Sequence, residues 1–405
     1  MTNKSIQKTA YILMLGLASV SHAISITDVP VGWASQNGGT TGGAGGTVKM
    51  VTTLADLQTW SKATGKYIIY VSGTMGADVT GTTNPNTISQ VTVTSDKTIF
   101  GLPGATLIGA FQIKSAKNVI IRNMKVQGPG SVDVNGIDPV WVDQSTNVWL
   151  DHLDVTDGQD GNLDITNGSN YVTVSYTKFT YTSRSKIHQF CNLLGNSDTK
   201  TTDRGKIKVT LEHNWWADGV VERMPRVRFG QVHVVNNLFT SKQGSYSVRA
   251  GIEADILVEA NAFIGVQNPI DLYQNNYTAV TSKNNYFDAG VTGGKVGGTK
   301  AAFTPPYTMA IDLATVVEAK VRGALGAGAT LCDVRASNCL VGVSSSSVVV
   351  LSSSSKPVSS SSVVVLSSSS KPVSSSSVVV LSSSSKPVSS SSVVVLSSGR
   401  PFFLS

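Results

Sequence analysis

The sequence predicts an all-β protein, a solenoid of stacked short strands. Two observations carry that expectation. Six segments share one design: VIIRNMKV (119–126), VWLDHLDV (148–155), VTVSYTKF (172–179), VTLEHNWW (209–216), VHVVNNLF (232–239) and ILVEANAF (256–263). Each opens on a β-branched residue, alternates apolar and polar positions, and closes on an apolar one. Asn, His or Tyr stands fifth in all but the last. Their starts lie 29, 24, 37, 23 and 24 residues apart. A recurring spacing near 24 residues, with one short strand per unit, marks stacked coils. Alternation turns one face of every strand inward, and Asn or His at a fixed register predicts side-chain ladders along the stack.

Taken in chain order, Lys4 and Lys8 precede an apolar run from Ala10 to Val20 and then Ser21-His22-Ala23. This reads as a secretory signal peptide over residues 1–23, and the run is too short to span a bilayer. A folded domain is expected over 24–342. Near its start, Thr53 and Asp56 predict a capping box opening a helix over Thr53–Trp60. A second helix is predicted from about Ala314 to Leu325, stopped by the Gly-rich GAGA. Both are expected to cover open ends of the stack. The longest gap, 180–208, predicts a loop that leaves the solenoid, where function concentrates. From 343 to 405 the chain repeats SSSSVVVLSSSSKPV with a period of 15 residues. Such a composition buries too little to fold alone, so a disordered linker or tail is expected.

The formal net charge is +7, and cleaving residues 1–23 removes two lysines and no acids, leaving +5. A basic exported protein suits an acidic polymer. Nucleic acid fits less well, because the basic residues are scattered rather than striped. Of the three cysteines, Cys332 and Cys339 are expected to close a small disulfide loop in an oxidising compartment, with Cys191 as a buried filler. No Cys/His cluster supports zinc.

The chemistry concentrates in a few stretches. VVERMPRVRFG sets Arg223 and Arg228 five residues apart around Pro225. Guanidiniums are rarely buried unpaired, and their planar fork grips carboxylates. Upstream lie NVWLDH (147–152) and the acidic run DGQDGNLD (157–164). Acids and arginines in one chain point to an anionic ligand bridged by a metal. Within NVWLDH, Trp149, Asp151 and His152 read as a buried structural network. Trp215 and Trp216 suit either sugar stacking or the core.

With GTTGGAGG (39–46), VIIRN (119–123), DITNGSNYVTVSY (164–176), RMPRVRFG (223–230) and VHVVNNLF (232–239), the chain resembles the pectate lyases of polysaccharide lyase family 1 over about residues 28–340. The resemblance implies a right-handed parallel β-helix. It further implies calcium-dependent β-elimination of de-esterified polygalacturonate, the pectate of plant cell walls, giving 4,5-unsaturated oligogalacturonides. By motif position, Asp138, Asp160 and Asp164 match calcium ligands. Arg223 matches the base that takes the proton, and Arg228 a residue that binds substrate carboxylate. A further acid expected two residues before Asp138 is Gly136 here, so either the site has one ligand fewer or Asp133 or Asn135 substitutes. The substrate-binding lysine position falls on Phe190, which leaves Lys186 as the candidate substitute. An extracellular monomer without nucleic-acid or membrane partners is expected. Rival readings are a metal-free pectin lyase acting on methyl-esterified polymer and a non-catalytic β-helix adhesin.

Overall fold

The computed structural model describes residues 28–132, 136–333 and 335. The predicted signal peptide, the Ser-rich segment and Cys339 lie outside them. Strands of the described residues form three parallel sheets of ten, eight and nine strands, in which each strand pairs with its counterpart in the coils before and after. The coil Thr146–Asp151, Asp154–Thr156, Leu163–Thr166 visits the ten-, nine- and eight-stranded sheets in turn before Asn170–Ser175 begins the next. The fold is a right-handed parallel β-helix, as the resemblance implied. Each coil thus holds three strands where the repeat signalled one. Strands such as Trp215–Trp216 and Arg226–Val227 are two residues long, too short to carry a readable alternation.

The fifth position of the repeat turns the chain from the ten-stranded to the nine-stranded sheet. Asn123, His152, Tyr176, His213, Asn236 and Ala260 all take positive φ there, between 44° and 57°. That left-handed region is several-fold enriched in Asn and His, which explains the residue choice. Three of these side chains stack: His152 on Tyr176 at 4.8 Å and Tyr176 on His213 at 4.6 Å between ring centroids. The amide ladder sits one residue later. Nδ2 of Asn214, Asn237 and Asn261 each donates to Oδ1 of the next rung, ending at Asn285, at 3.0 Å. The closing position points inward, where Phe179, Trp216, Phe239, Phe263 and Phe287 stack at centroid spacings of 4.4–5.7 Å. Trp216 is therefore core, and cutting one ring from such a stack to Ala costs about 3–5 kcal/mol. Trp215 packs instead against the second helix.

Helix α1 (Leu54–Lys62) starts at Thr53, whose Oγ1 accepts from the Asp56 amide at 3.1 Å and donates to the Asp56 carboxylate at 2.7 Å. Its Leu57 enters the core at the first coils. Helix α2 (Ala314–Val321) ends before Gly323, earlier than the sequence suggested. It covers a flank rather than an end: Val317 and Val321 pack on Leu238 and Ala262 of the nine-stranded sheet. Asp151 organises the NVWLDH network. Its carboxylate accepts from Arg122 Nε and His152 Nδ1 at 2.8 Å each and from Ser175 Oγ at 2.5 Å, while Trp149 Nε1 donates to Ser175 Oγ.

Candidate active site

The loops that lead into the eight-stranded sheet deliver the acidic and basic side chains to one place. Asp138 precedes the strand Val140–Asp143. Asp164 lies on the next strand, Leu163–Thr166, whose Leu163 and Ile165 point into the core and so turn Asp164 outward. Asp160 lies on the loop between them. One oxygen from each of the three carboxylates falls within 4.8 Å of the others. Backbone amides fix two of them: Gly161 N donates to Asp138 Oδ1 at 2.6 Å and Leu193 N to Asp164 Oδ1 at 2.8 Å. A Cβ at Gly161 would stand 2.7 Å from Asp164 Oδ1, so only glycine admits this approach.

The electrostatics are strained in one direction. Burial, reinforced by the charges of Asp164 and Asp160, raises Asp138 well above the usual carboxylate range. Burial pushes Asp164 up to about 7, although Arg223 and Arg228 pull it down. The arginines present do not neutralise the cluster, and an all-oxygen set of this kind suits a hard divalent cation.

Arg223 enters two coils beyond Asp164 with φ of 61°, before the cis Met224–Pro225 bond and the strand Arg226–Val227. Its Nη1 makes no hydrogen bond and faces Asp160 Oδ1 at 3.7 Å. Its guanidinium lies 4.8 Å over the Phe190 ring. Arg228 leaves the same strand, donating to Asp198 Oδ1 at 2.5 Å and to Gly195 O at 3.0 Å. Lys186 is exposed, and its Nζ is held by Ser183 O at 2.5 Å. His188, two residues on, reaches the cluster: Nε2 lies 2.8 Å from Asp160 Oδ1 and 3.4 Å from Arg223 Nη2. His188 escaped the sequence reading because it sits outside the repeat and in no motif.

Gly136 has no room for a side chain, since an added Cβ would fall 1.9 Å from Gln159 Cβ. Asp133 and Asn135 lie outside the described residues. The 180–208 gap is not one loop: the strand Leu193–Leu194 divides it and belongs to the eight-stranded sheet. Cys191 is free and fully buried, its thiol pushed up by burial.

The site is thus a cluster of three carboxylates beside an arginine on one sheet of a parallel β-helix. A sequence family described as pectate lyase matches residues 5–330. The chain is 37% identical over 243 residues to pectate lyase plyB of Emericella nidulans, covering 58% of this chain and 68% of that one. It is 35% identical over 293 residues to pectate lyase E of Dickeya chrysanthemi, covering 61% and 74%. Among solved structures, a pectate lyase bound to a hexasaccharide superposes with a TM-score of 0.60 at 24% identity over 77% of this chain and all of that one. A Paenibacillus pectate lyase gives 0.61 at 19% identity, covering 75% and 96%. The chain belongs to the pectate lyase family and is an enzyme.

Proposed function

We propose that this protein is an exported lyase that cleaves de-esterified polygalacturonate by calcium-dependent β-elimination, with Asp138, Asp160 and Asp164 holding the ion and Arg223 acting as base. The observation that carries the reading is the convergence of three carboxylates beside a guanidinium whose Nη1 has no hydrogen-bond partner. Export rests on the Lys4 to Ala23 segment. A bound Ca²⁺ would supply the positive charge that neutralises a uronate carboxylate and so acidifies the adjacent C5–H.

The chain's own residues do the rest. Arg223, in its uncharged form, takes the C5 proton. The electron pair forms the C4–C5 double bond, the C4–O bond breaks, and the leaving oxygen takes a proton from water. The products are a free chain end and a 4,5-unsaturated oligogalacturonide. Guanidines are charged at ordinary pH, so the reactive form grows with alkalinity. Arg228 turns toward the substrate carboxylate by exchanging its contact with the exposed Asp198. Lys186, on the loop that carries His188 and Phe190, is a second carboxylate partner. Phe190 and His188 hold the Arg223 guanidinium in place. A metal-free reaction on methyl-esterified polymer accounts less well for the acids, because esterification removes the charge that a cation would serve.

The test compares ultraviolet-absorbing product from polygalacturonate and from highly methyl-esterified pectin. The reading expects the first to be preferred, and expects Arg223→Lys to lower turnover by about 10²–10⁴-fold, the usual cost of losing a base, without lowering the melting temperature. Preference for the ester, or a fully active Arg223→Lys, would refute it.

A further inference from the structure

The outer face of the eight-stranded sheet continues past the acid cluster toward the earlier coils. Strand register places Thr92, Gln112, Trp141 and Asp164 side by side in one row. Val140 and Val142 point into the core, so Trp141 between them turns outward. Neighbouring strands stand about 4.8 Å apart, which sets Trp141 one step from Asp164. The indole is half-buried, and its Nε1 is already satisfied by Thr166 Oγ1 at 2.9 Å. What it still offers is an apolar ring surface, held at a fixed angle. Lys114, exposed on the strand Ala110–Lys114, sets its Nζ 4.5 Å from the centroid of that ring. Among the described residues no carboxylate lies within ion-pair distance of this ammonium. Asp143, its cross-strand neighbour, accepts from Asn167 at 2.5 Å instead. The mechanism above uses neither residue.

We propose that Trp141 and Lys114 form a subsite for one uronate residue of the bound polymer, beside the reacting position on the side of the earlier coils. A pyranose ring presents a face of C–H groups that packs on an indole, because the ring's negative face attracts polarised C–H edges. A uronate also carries one carboxylate per sugar, and Lys114 supplies the matching charge beside the ring. The ammonium reaches it by leaving an exposed cation–π contact, which is weak in water. A neutral or esterified sugar gains only the stacking half. The inference rests on the polygalacturonate reading, and it adds where the chain selects charge away from the bond that breaks.

The test measures KM and kcat on polygalacturonate, and calorimetric binding of a galacturonate hexamer, with calcium present. The proteins are the wild type, Lys114→Met, Trp141→Ala and Trp141→Tyr, with a thermal melt for each. Lys114 is exposed, so its replacement leaves the fold untouched, and Trp141→Tyr keeps an aromatic face. The expected result is a KM and Kd raised about tenfold in both Lys114→Met and Trp141→Ala, equivalent to about 1.4 kcal/mol, with kcat within about twofold of wild type. Trp141→Tyr should recover most of the loss. Added salt should erase the wild type's advantage over Lys114→Met and leave its advantage over Trp141→Ala. KM and Kd unchanged in Lys114→Met and Trp141→Ala, in a wild type that cleaves the polymer, overturn the subsite alone. A wild type that produces no unsaturated uronate overturns the lyase reading instead.

Discussion

His188 sets its Nε2 2.8 Å from Oδ1 of Asp160, linking the loop before Leu193–Leu194 to the acid cluster of the previous coil. The same nitrogen lies 3.4 Å from Arg223 Nη2, and the His188 ring packs at 4.0 Å on Phe190, which in turn lies under that guanidinium. One imidazole therefore orients both a candidate ligand and the candidate base. Side chains that orient metal ligands from behind typically contribute 10–100-fold to metal affinity or activity. His188→Ala should raise the calcium concentration for half-activity by about that factor, and His188→Gln should recover part of it. A calcium titration of activity reads both variants. Identical half-saturation in wild type and His188→Ala would show that this contact does not position the site.

Asp160 and Asp164 differ in what surrounds them. Asp164 is buried and receives an amide hydrogen bond, whereas Asp160 is partly exposed and faces His188 and Arg223. Asp164→Asn and Asp160→Asn each keep the shape and remove one charged oxygen ligand. Both should need more calcium for the same rate, Asp164→Asn the more so, with folding retained in saturating calcium. Unchanged calcium dependence in both variants would place the ion elsewhere.

The same carboxylate makes stability depend on pH when calcium is withheld. Asp164 has an ordinary value of 3.8 and is pushed up to about 7 in the folded protein, by burial above all. The folded state then holds the proton more tightly than the unfolded state. Its contribution is fully present below about pH 3.8 and is lost as pH rises through about 7. Asp138, also raised, acts in the same direction. In chelator, the Asp164 and Asp138 contributions should lower the melting temperature as pH rises from about 4 to 7. Asp164→Asn should flatten that slope, and saturating calcium should abolish it. A slope in chelator that Asp164→Asn leaves unaltered would contradict the assignment.

The Ser-rich segment from 343 onward is proposed to be dispensable for catalysis. Among the described residues the last to enter the core is Leu331, which packs with Tyr70, Phe100 and Leu102. A chain ending at Val343 should keep the melting temperature and the rate on soluble polygalacturonate. Unfolding, or a sharp loss of rate on soluble polymer, would move the domain boundary into the repeat.

Much of the fold was legible in the sequence because a solenoid writes its period into the chain. The fifth-position Asn, His and Tyr residues marked a recurring register and suggested a ladder there, whereas the structure uses that position for a left-handed turn and sets the amide ladder one residue later. The strand Leu193–Leu194 was not legible, since two residues between long loops carry no alternation. Neither was the placement of α2, because an apolar stripe such as Val317–Val321 gives the fact of burial and not its partner. In the site, Asp138, Asp160, Asp164 and Arg223 were readable from motifs and meet in space. His188 was not, since it reaches them only through the path of an irregular loop. Trp141 stood unremarked between Asp138 and NVWLDH until strand register set it beside Asp164.

The most direct test of the account follows unsaturated product from polygalacturonate by ultraviolet absorbance, first with calcium, then in excess chelator, then with calcium restored. The account predicts rapid product formation, its loss on chelation, and its return when calcium exceeds the chelator. Undiminished product formation in excess chelator would contradict the calcium assignment, and no product under any of the three conditions would contradict the lyase itself.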